Sequence, residues 1–194
     1  MLREQSGTYY AKIDEGQSLD VGAIAKGYVG DRLTELLGGK CKSALINLGG
    51  NVCALGKKPD GSDFSVGLRD PLGEEGQYFC TVAASDISIV VSGAYERNFT
   101  KDGVTYHHIL DPDTGYPSDS GLLSSIIACK SSTTADGLST AVFVLGKEKG
   151  LALVESVEGA EAMVITSDKK IYMTKGFKAE YDPEYVEGCR YEEG

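Results

Sequence analysis

The chain has few of the residues that bind polyanions. It contains 19 lysines and arginines against 29 aspartates and glutamates, which gives a formal net charge of −10, and no run of basic residues is longer than a pair. Binding to nucleic acid or to an anionic membrane surface requires a basic patch. We therefore expect neither nucleic acid nor an anionic membrane surface as a partner.

Long hydrophobic runs are also lacking. The chain opens with the polar segment MLREQSGTYY, and no apolar stretch approaches the roughly 20 residues that span a bilayer. We therefore predict no transmembrane segment and no export signal in this chain, and the sequence does not indicate its compartment.

Cysteines are few and lack a pattern. The five of them, at positions 41, 53, 80, 129 and 189, form no CxxC pair. An odd, scattered set argues against both a disulfide framework and a zinc site. We predict free thiols, most of them buried.

Glycine is abundant, with 25 residues against five prolines, and this favours short elements joined by tight turns. Strand-like segments are rich in β-branched and aromatic residues. They are 7–13, 43–49, 64–70, 78–85, 86–93, 122–130, 162–168 and 170–176, and ITSDKKIY reads as a hairpin.

Three segments have helical patterns: 23–37, 134–145 and 147–156. The first ends at Gly38-Gly39 and the second at Gly146. Strands outnumber helices and do not alternate regularly with them. We therefore predict an α+β fold, a single domain over 1–194 with a mixed or antiparallel sheet and a few packed helices.

The helix at 134–145 carries a pair of oxygen-bearing side chains. Asp136 and Thr140 lie about 40° apart on a helical wheel, with Leu138 and Leu145 nearly opposite. This pattern predicts that the leucine face packs on the core while Asp136 and Thr140 point the other way. Two such oxygens suit a hard cation such as Mg²⁺. The alternatives are a solvated helix face, or Asp136 interacting with the helix dipole.

Two glycine-containing segments offer places where a ligand can approach the backbone. In SLDVGAIAKGYVGD, Asp20 and Gly22 precede a helix that contains Lys26, and free N–H groups at a helix start attract phosphate. An ordinary capped helix is the alternative. In ALINLGGNV, Gly49-Gly50 indicates either a tight turn or a second such approach.

The only two histidines are adjacent, in YHHILDPDTGYP. His108 ends a β-like segment, and Asp111 follows three residues later, where it can orient a ring nitrogen. A neutral histidine is a suitable general base for a hydroxyl nucleophile. A structural histidine in a turn is the alternative.

Taken in order, the segments LDVGAIAKGYVGDRL, INLGGNV, SGAYERNF, HHILDPDTGYP and STTADGLSTAVFVLG, with MTKGF near the end, resemble the motif series of the ApbE-like FAD:protein FMN transferases. The resemblance covers the C-terminal portion of the family domain. It implies a reaction that splits the FAD pyrophosphate, attaches FMN to a Thr or Ser hydroxyl of a target flavoprotein and releases AMP. Family members usually work outside the cytoplasm, often lipid-anchored.

The same resemblance implies roles for individual residues. Asp136, Thr140 and the backbone carbonyl of Ala23 would bind Mg²⁺, and Asp20 and Lys26 would contact FAD.

His108 would take the proton of the acceptor hydroxyl, and Ile109 or Leu110 would touch the cofactor. Two other functions use the same residues: a Mg²⁺-dependent FAD pyrophosphatase, with water as acceptor, and a truncated, non-catalytic flavin-binding module.

Overall fold

A central sheet organises the structure, a computed structural model that describes residues 2–96 and 98–194. The sheet has seven strands, in the order β14, β12, β11, β10, β7, β4 and β3. In chain order these are β3 (Ala44–Asn47), β4 (Asn51–Leu55), β7 (Ile87–Gly93), β10 (Leu122–Cys129), β11 (Ala160–Thr166), β12 (Lys170–Met173) and β14 (Glu192–Glu193). All neighbours pair antiparallel except β12 and β14, which are parallel.

The remaining strands form smaller sheets. A three-stranded sheet contains β5 (Phe64–Arg69), β6 (Tyr78–Ala84) and β13 (Glu184–Tyr185). Two hairpins pair β1 (Leu2–Gln5) with β2 (Thr8–Ala11), and β8 (Asn98–Lys101) with β9 (Val104–His107). The helices are α1 (Gly22–Leu37), α2 (Ser132–Glu155) and α3 (Phe177–Tyr181). None of the helices in the described part of the chain is long and apolar enough to cross a bilayer.

The predicted α+β class and the hairpin at ITSDKKIY are confirmed. In that hairpin Ile165 of β11 lies opposite Ile171 of β12. Strand-like segments were recognised where β-branched residues cluster, whereas β1, β4, β8, β13 and β14 were missed. β4 begins directly after a double-glycine turn with Asn51, a residue type that is depleted in strands.

The predicted break at Gly146 is confirmed as well. Residues 132–155 form one continuous element, but Gly146 has φ 77° and ψ 179°, so the α-helix is interrupted there. A side chain at this position would be strained by the positive φ and would lie 3.1 Å from the Ser120 carbonyl oxygen.

Two apolar layers hold the sheet in place, one on each of its faces. On one face Ile89, Ile126 and Met163 pack against the small sheet, with Leu68 and Phe79. Since side chains alternate along a strand, the neighbouring residues face the other way. There, residues of β7, β10 and β11 pack against α2; the set is Val90, Ile127, Val164, Ala135, Val142 and Phe143.

The predicted orientation of α2 was wrong for Leu145 and Asp136, although Leu138 packs against the apolar cluster as predicted. Leu145 is 42% exposed, and the buried face of the first turns consists of Ser132, Ala135, Asp136 and Ser139. Serines can be buried here because they are hydrogen-bonded. The hydroxyls of Ser139 and Ser92 are hydrogen-bonded at 2.8 Å, and the backbone carbonyl of Ser139 accepts the Ser125 hydroxyl at 2.6 Å. A hydrophobic wheel cannot identify a buried face made of hydrogen-bonded polar residues.

The cysteine prediction is largely confirmed. All five thiols are free; Cys53, Cys80 and Cys129 are buried, and Cys41 is exposed. Burial, chiefly, raises the pKa of Cys80 to about 12, so this thiol stays protonated at neutral pH.

Glycines bring α1 against α2. The apolar stripe that identified α1 is largely uncovered, with Ile24 43% and Tyr28 57% exposed, and the buried positions of this helix are Gly27 and Gly30. A Cβ atom on Gly27 would lie 2.7 Å from Asp136 Cβ and closer still to the Ser132 carbonyl oxygen. The two helices can therefore approach this closely only with glycine at position 27.

We predict that Gly27→Ala lowers the free energy of unfolding by about 1–3 kcal/mol, because a backbone carbonyl cannot move aside as a side chain can. Gly137→Ala is the matched control. Gly137 lies inside α2, and a Cβ there meets only Ile24 Cγ2 at 3.5 Å. The Gly137→Ala variant should be more stable than wild type by about 0.5–1 kcal/mol, because alanine has a higher helix propensity than glycine. Urea denaturation measures both; equal changes in the two variants would contradict the packing argument.

Candidate active site

The candidate site lies where α1 meets α2. The Gly27 amide donates a hydrogen bond of 2.7 Å to Asp136 Oδ2, and the Asp136 side chain is buried, with its residue 4% exposed. In an α-helix the same amide would donate to the carbonyl of Ala23. The Asp136 carboxylate thus binds the amide whose ordinary helical acceptor is the Ala23 carbonyl. Thr140, half-buried, follows one turn later on α2.

Asp136 therefore does not lie on a solvated face, as one alternative from the sequence required. Among the described residues no lysine, arginine or histidine forms an ion pair with it, and Gly27 supplies the one hydrogen bond to its carboxylate. A buried carboxylate with no cationic partner is costly. The local chemistry thus fits a cation bound by oxygen atoms.

A cation at this junction would depend on mixed ligands. In the described ranges there is no group of three or more His, Cys, Asp or Glu side chains that could hold a metal ion. The carboxylate of Asp136, the hydroxyl of Thr140 and the carbonyl of Ala23 are all hard oxygen donors, which suit Mg²⁺ and leave room for water or phosphate oxygens.

The two glycine-containing segments come together through Lys26. Its Nζ donates to the Gly49 carbonyl at 3.1 Å. The β3–β4 turn there has φ values of 63° at Gly49 and 98° at Gly50, and the Asn47 side chain accepts both of their amides. The tight turn is therefore present, and the approach of a ligand to this backbone stays a prediction.

Asp20 is placed differently from Lys26. Its Oδ1 accepts the Gly22 amide at 2.6 Å, just ahead of the first turn of α1, and the residue is exposed. The ordinary capped helix expected as an alternative is not found, because the N-cap residue is Val21 and no side chain caps the helix. Asp20 still lies two residues before Gly22 and three before Ala23, at the same end of the helix as the Gly27–Asp136 hydrogen bond.

A cleft of about 510 Å³ opens beside Lys26 and the glycine turn. Its apolar lining comes from Val66 and Leu68 of β5 and from Ile89 and Val91 of β7. Its polar lining includes Lys26, Asn47, Arg69, Tyr95 and Glu96. The volume lies within the range of small-molecule sites.

Arg69 and Tyr95 lie at the same cleft, with the guanidinium 4.7 Å from the ring centroid. Burial, chiefly, raises the pKa of the Tyr95 phenol to about 12. Arg97, in the SGAYERNF segment, lies outside the described residues.

The histidine segment is fixed against α2. The ring of His107 meets that of Phe143 edge-on at 5.7 Å, and its Nε2 is 3.2 Å from the Ser118 carbonyl oxygen. Ile109 is buried in the same apolar cluster as Phe143. Phe143 lies three residues after Thr140, on the neighbouring turn of the helix. The segment therefore lies beside the turn of α2 that follows Thr140.

Within that segment the two histidines differ. His107 is the structural one, whereas His108 is exposed, and so is Leu110, at 52%. The Asp111 carboxylate accepts the Asp113 amide at 2.8 Å and stabilises the turn; that it orients a histidine ring nitrogen stays a prediction.

Asp31 was missed by sequence reasoning, although it holds the start of α2. Its carboxylate accepts the amides of Ser132 (2.6 Å) and Thr133 (3.0 Å) and the hydroxyls of Ser131 and Thr133. Burial alone would raise the pKa of Asp31, but the hydrogen bonds from Thr133, Ser132 and Ser131 outweigh it and lower the pKa. A cap supplied from 100 residues away leaves no local sequence signal.

Comparison with known proteins agrees with this geometry. A sequence profile of the ApbE family matches residues 2–164. The chain is 44% identical over 170 residues to the FAD:protein FMN transferase of Treponema pallidum, and 38% identical over 169 residues to that of Klebsiella pneumoniae. These alignments cover 83% and 87% of this chain. The chain belongs to the ApbE family.

Solved structures show the same fold. The ApbE protein of Thermotoga maritima superposes with a TM-score of 0.77 at 36% identity, covering 85% of this chain and 54% of that one. The flavin transferase ApbE of Vibrio cholerae gives a TM-score of 0.75 at 29% identity, covering 92% and 57%. The chain spans about half the length of the curated relatives it matches, with 47% and 52% of the two named above.

We predict that Asp31→Ala lowers the free energy of unfolding at pH 7 by about 0.5–2 kcal/mol, the usual contribution of a helix cap. Because the folded-state pKa of Asp31 is lowered, its contribution is present above the unfolded value near 3.8 and is lost as the pH falls through the folded value. The gap between wild type and variant should therefore narrow in acid.

Chemical denaturation at several pH values measures this gap. Asp119→Ala is the control, an exposed carboxylate with no hydrogen bond among the described residues. A wild-type advantage over Asp31→Ala that is independent of pH would show that the carboxylate charge does not anchor α2.

Proposed function

We propose that this chain carries the catalytic site of a Mg²⁺-dependent FAD:protein FMN transferase. The observation that carries the proposal is the 2.7 Å hydrogen bond from the Gly27 amide to Asp136, which joins two motifs 109 residues apart. It brings three kinds of oxygen donor to one junction. Family membership and the printed names of the relatives support the reaction class.

Residues 1–194 act in this proposal as one unit, the C-terminal portion of the family domain. One seven-stranded sheet runs from β3 to β14, and both helices of the junction pack on it or on each other. This continuity supports a single structural unit.

The cation would be held by the Asp136 carboxylate, the Thr140 hydroxyl and the Ala23 carbonyl. When bound, Mg²⁺ supplies charge neutralisation at the pyrophosphate oxygens. Lys26 adds a positive charge next to the glycine turn, and Asp20 fixes the start of α1, where exposed amides can meet the ligand.

The reaction moves the FMN phosphoryl group from AMP to the hydroxyl oxygen of the target flavoprotein. A Thr or Ser hydroxyl of the target flavoprotein attacks the phosphorus of the FMN half, the bond to the bridging oxygen breaks, and AMP leaves with that oxygen. His108, exposed beside the turn that follows Thr140, takes the proton of the attacking hydroxyl. At the end of the step the proton is on His108, the FMN phosphoryl group is on the acceptor oxygen, and AMP has left with the bridging oxygen.

The cleft, whose lining is part apolar and part polar, accommodates one of the two ring systems of FAD. At about 510 Å³ it is large enough for one of them, and Lys26 at its border lies where a phosphate would follow the ring. Leu110, exposed on the histidine segment, offers an apolar contact, whereas the buried side chain of Ile109 leaves only its backbone.

We expect the chain to release AMP from FAD when Mg²⁺ is present, and Asp136→Ala or EDTA to abolish the release. The physical reason is that the buried carboxylate is the one charged ligand of the cation. Chromatography of the nucleotides measures AMP. When a target protein is added, flavin that stays bound to it after denaturation indicates transfer, and its absence indicates hydrolysis. A folded chain that binds FAD but releases no AMP would instead be a flavin-binding module.

We also expect His108→Ala to lower the rate of transfer by about 10²–10⁴-fold, the usual contribution of a general base. FAD binding should be unchanged, because the base acts on the acceptor hydroxyl. Stopped-flow or discontinuous flavinylation assays give the rate, and quenching of flavin fluorescence gives the affinity. His107→Ala serves as the contrast: it should lower the melting temperature, since its ring packs on Phe143. A His108→Ala variant with the wild-type rate would remove this residue from the mechanism.

A further inference from the structure

The side chain of Asn51 is a buried polar group whose burial no hydrogen bond compensates in the part of the chain that the structure describes. Asn51 begins β4 and is 0% exposed, and neither Nδ2 nor Oδ1 has a hydrogen-bond partner among the residues that the structure describes. Leaving both ends of a buried amide unpaired opposes folding. A native protein that keeps such a group has a polar partner for it in the functional state, such as a bound water or ligand.

The direction of this side chain follows from the strand. Val52 faces the cleft, whereas the Cys53 thiol lies 3.4 Å from the Ser132 hydroxyl of α2. Side chains two residues apart on a strand share a face. Asn51 therefore faces the helices, as Cys53 does.

The position of Asn51 along the axes of the helices, called its level below, follows from two contacts that α1 makes. Lys26 reaches the turn at Gly49, before β4 begins, and a Cβ on Gly30 would lie 2.7 Å from the Cys53 sulfur. α1 thus runs in the direction of β4. Asn51 lies between these two contacts, at the level of the residues between Lys26 and Gly30.

α2 runs the other way. Ser132 is level with Cys53, and Asp136, one turn later, is level with Gly27. Asn51, Gly27 and Asp136 therefore occupy one level of three adjacent elements. The unpaired amide faces the junction to which the cation site was assigned.

Carboxylates that bind metal ions are themselves oriented by hydrogen bonds from surrounding groups. The Asp136 carboxylate has one such bond in the described residues, to Oδ2 from Gly27. We propose that Asn51 is a positioning residue of this site: its Nδ2 donates through a buried water to the Asp136 carboxylate and holds that carboxylate toward the cation. A water between the two groups would find the several polar partners that a buried water needs. The inference rests on the proposed function, because it concerns the same cation.

The test compares cation binding with stability. Mn²⁺ is the probe, and the electron paramagnetic resonance signal of free Mn²⁺ reports its binding to wild type, Asn51→Leu and Asp136→Ala. Leucine has the same branched skeleton as asparagine without polar atoms. If the Asn51 side-chain amide has no partner in wild type, the melting temperature of Asn51→Leu should equal or exceed that of wild type. We expect Mn²⁺ to bind Asn51→Leu about 10–100-fold more weakly than wild type, the usual effect of losing an orienting group.

Controls separate a positioning role from a structural one. Cys53→Ala, on the same face but one level away, should lower the melting temperature and leave the Mn²⁺ affinity unchanged. If Asn51→Leu does not fold, Asn51→Ser and Asn51→Ala replace it, because both leave the same space and differ by one hydroxyl. Tighter Mn²⁺ binding by the serine variant supports the proposal, and equal binding by the two overturns it.

Two failures can be told apart. If wild type shows no Mn²⁺ binding that depends on Asp136, the cation site of the proposed function fails, and the role of Asn51 fails with it. If wild type binds Mn²⁺ and Asn51→Leu binds it equally well, the cation site stands and the role of Asn51 alone is wrong.

Discussion

The close approach of α1 to α2 is the constraint on which the rest of the site depends. Gly27 lets the two backbones approach, and its amide then meets the Asp136 carboxylate. Asp31 holds the other end of the contact, where it accepts four hydrogen bonds at the start of α2. The position of the Asp136 carboxylate thus depends on the absence of a side chain at Gly27 and on the charge of Asp31.

Most of the secondary structure could be predicted because it depends on local signals. Clustered β-branched residues identified β7, β10 and β11, and a glycine identified the interruption of α2 at position 146. The candidate residues came from motifs with a known order, and the structure places Asp136 against the helix that carries Ala23. The two segments are far apart in sequence, and their joint role at a cation stays a prediction.

What could not be predicted depends on tertiary contacts. The buried face of α2 carries Ser132, Asp136 and Ser139, and a wheel that ranks residues by hydrophobicity puts such a face in water. Their burial becomes favourable only when partners from β7, β10 and α1 are in place. The cap by Asp31 is a similar case. Sequence patterns indicated which residues bear chemistry, but not which of them are held in the interior.

The hydrogen bond between Gly27 and Asp136 also bears on the order in which the protein folds. Its partners are 109 residues apart, and closing so long a segment loses chain entropy that only later contacts repay. The strands β7 and β10 lie between them in the chain and form the surface on which α2 packs. We therefore expect the junction to assemble late, and a nascent chain on the ribosome to lack the hydrogen bond between Gly27 and Asp136 until α2 has emerged.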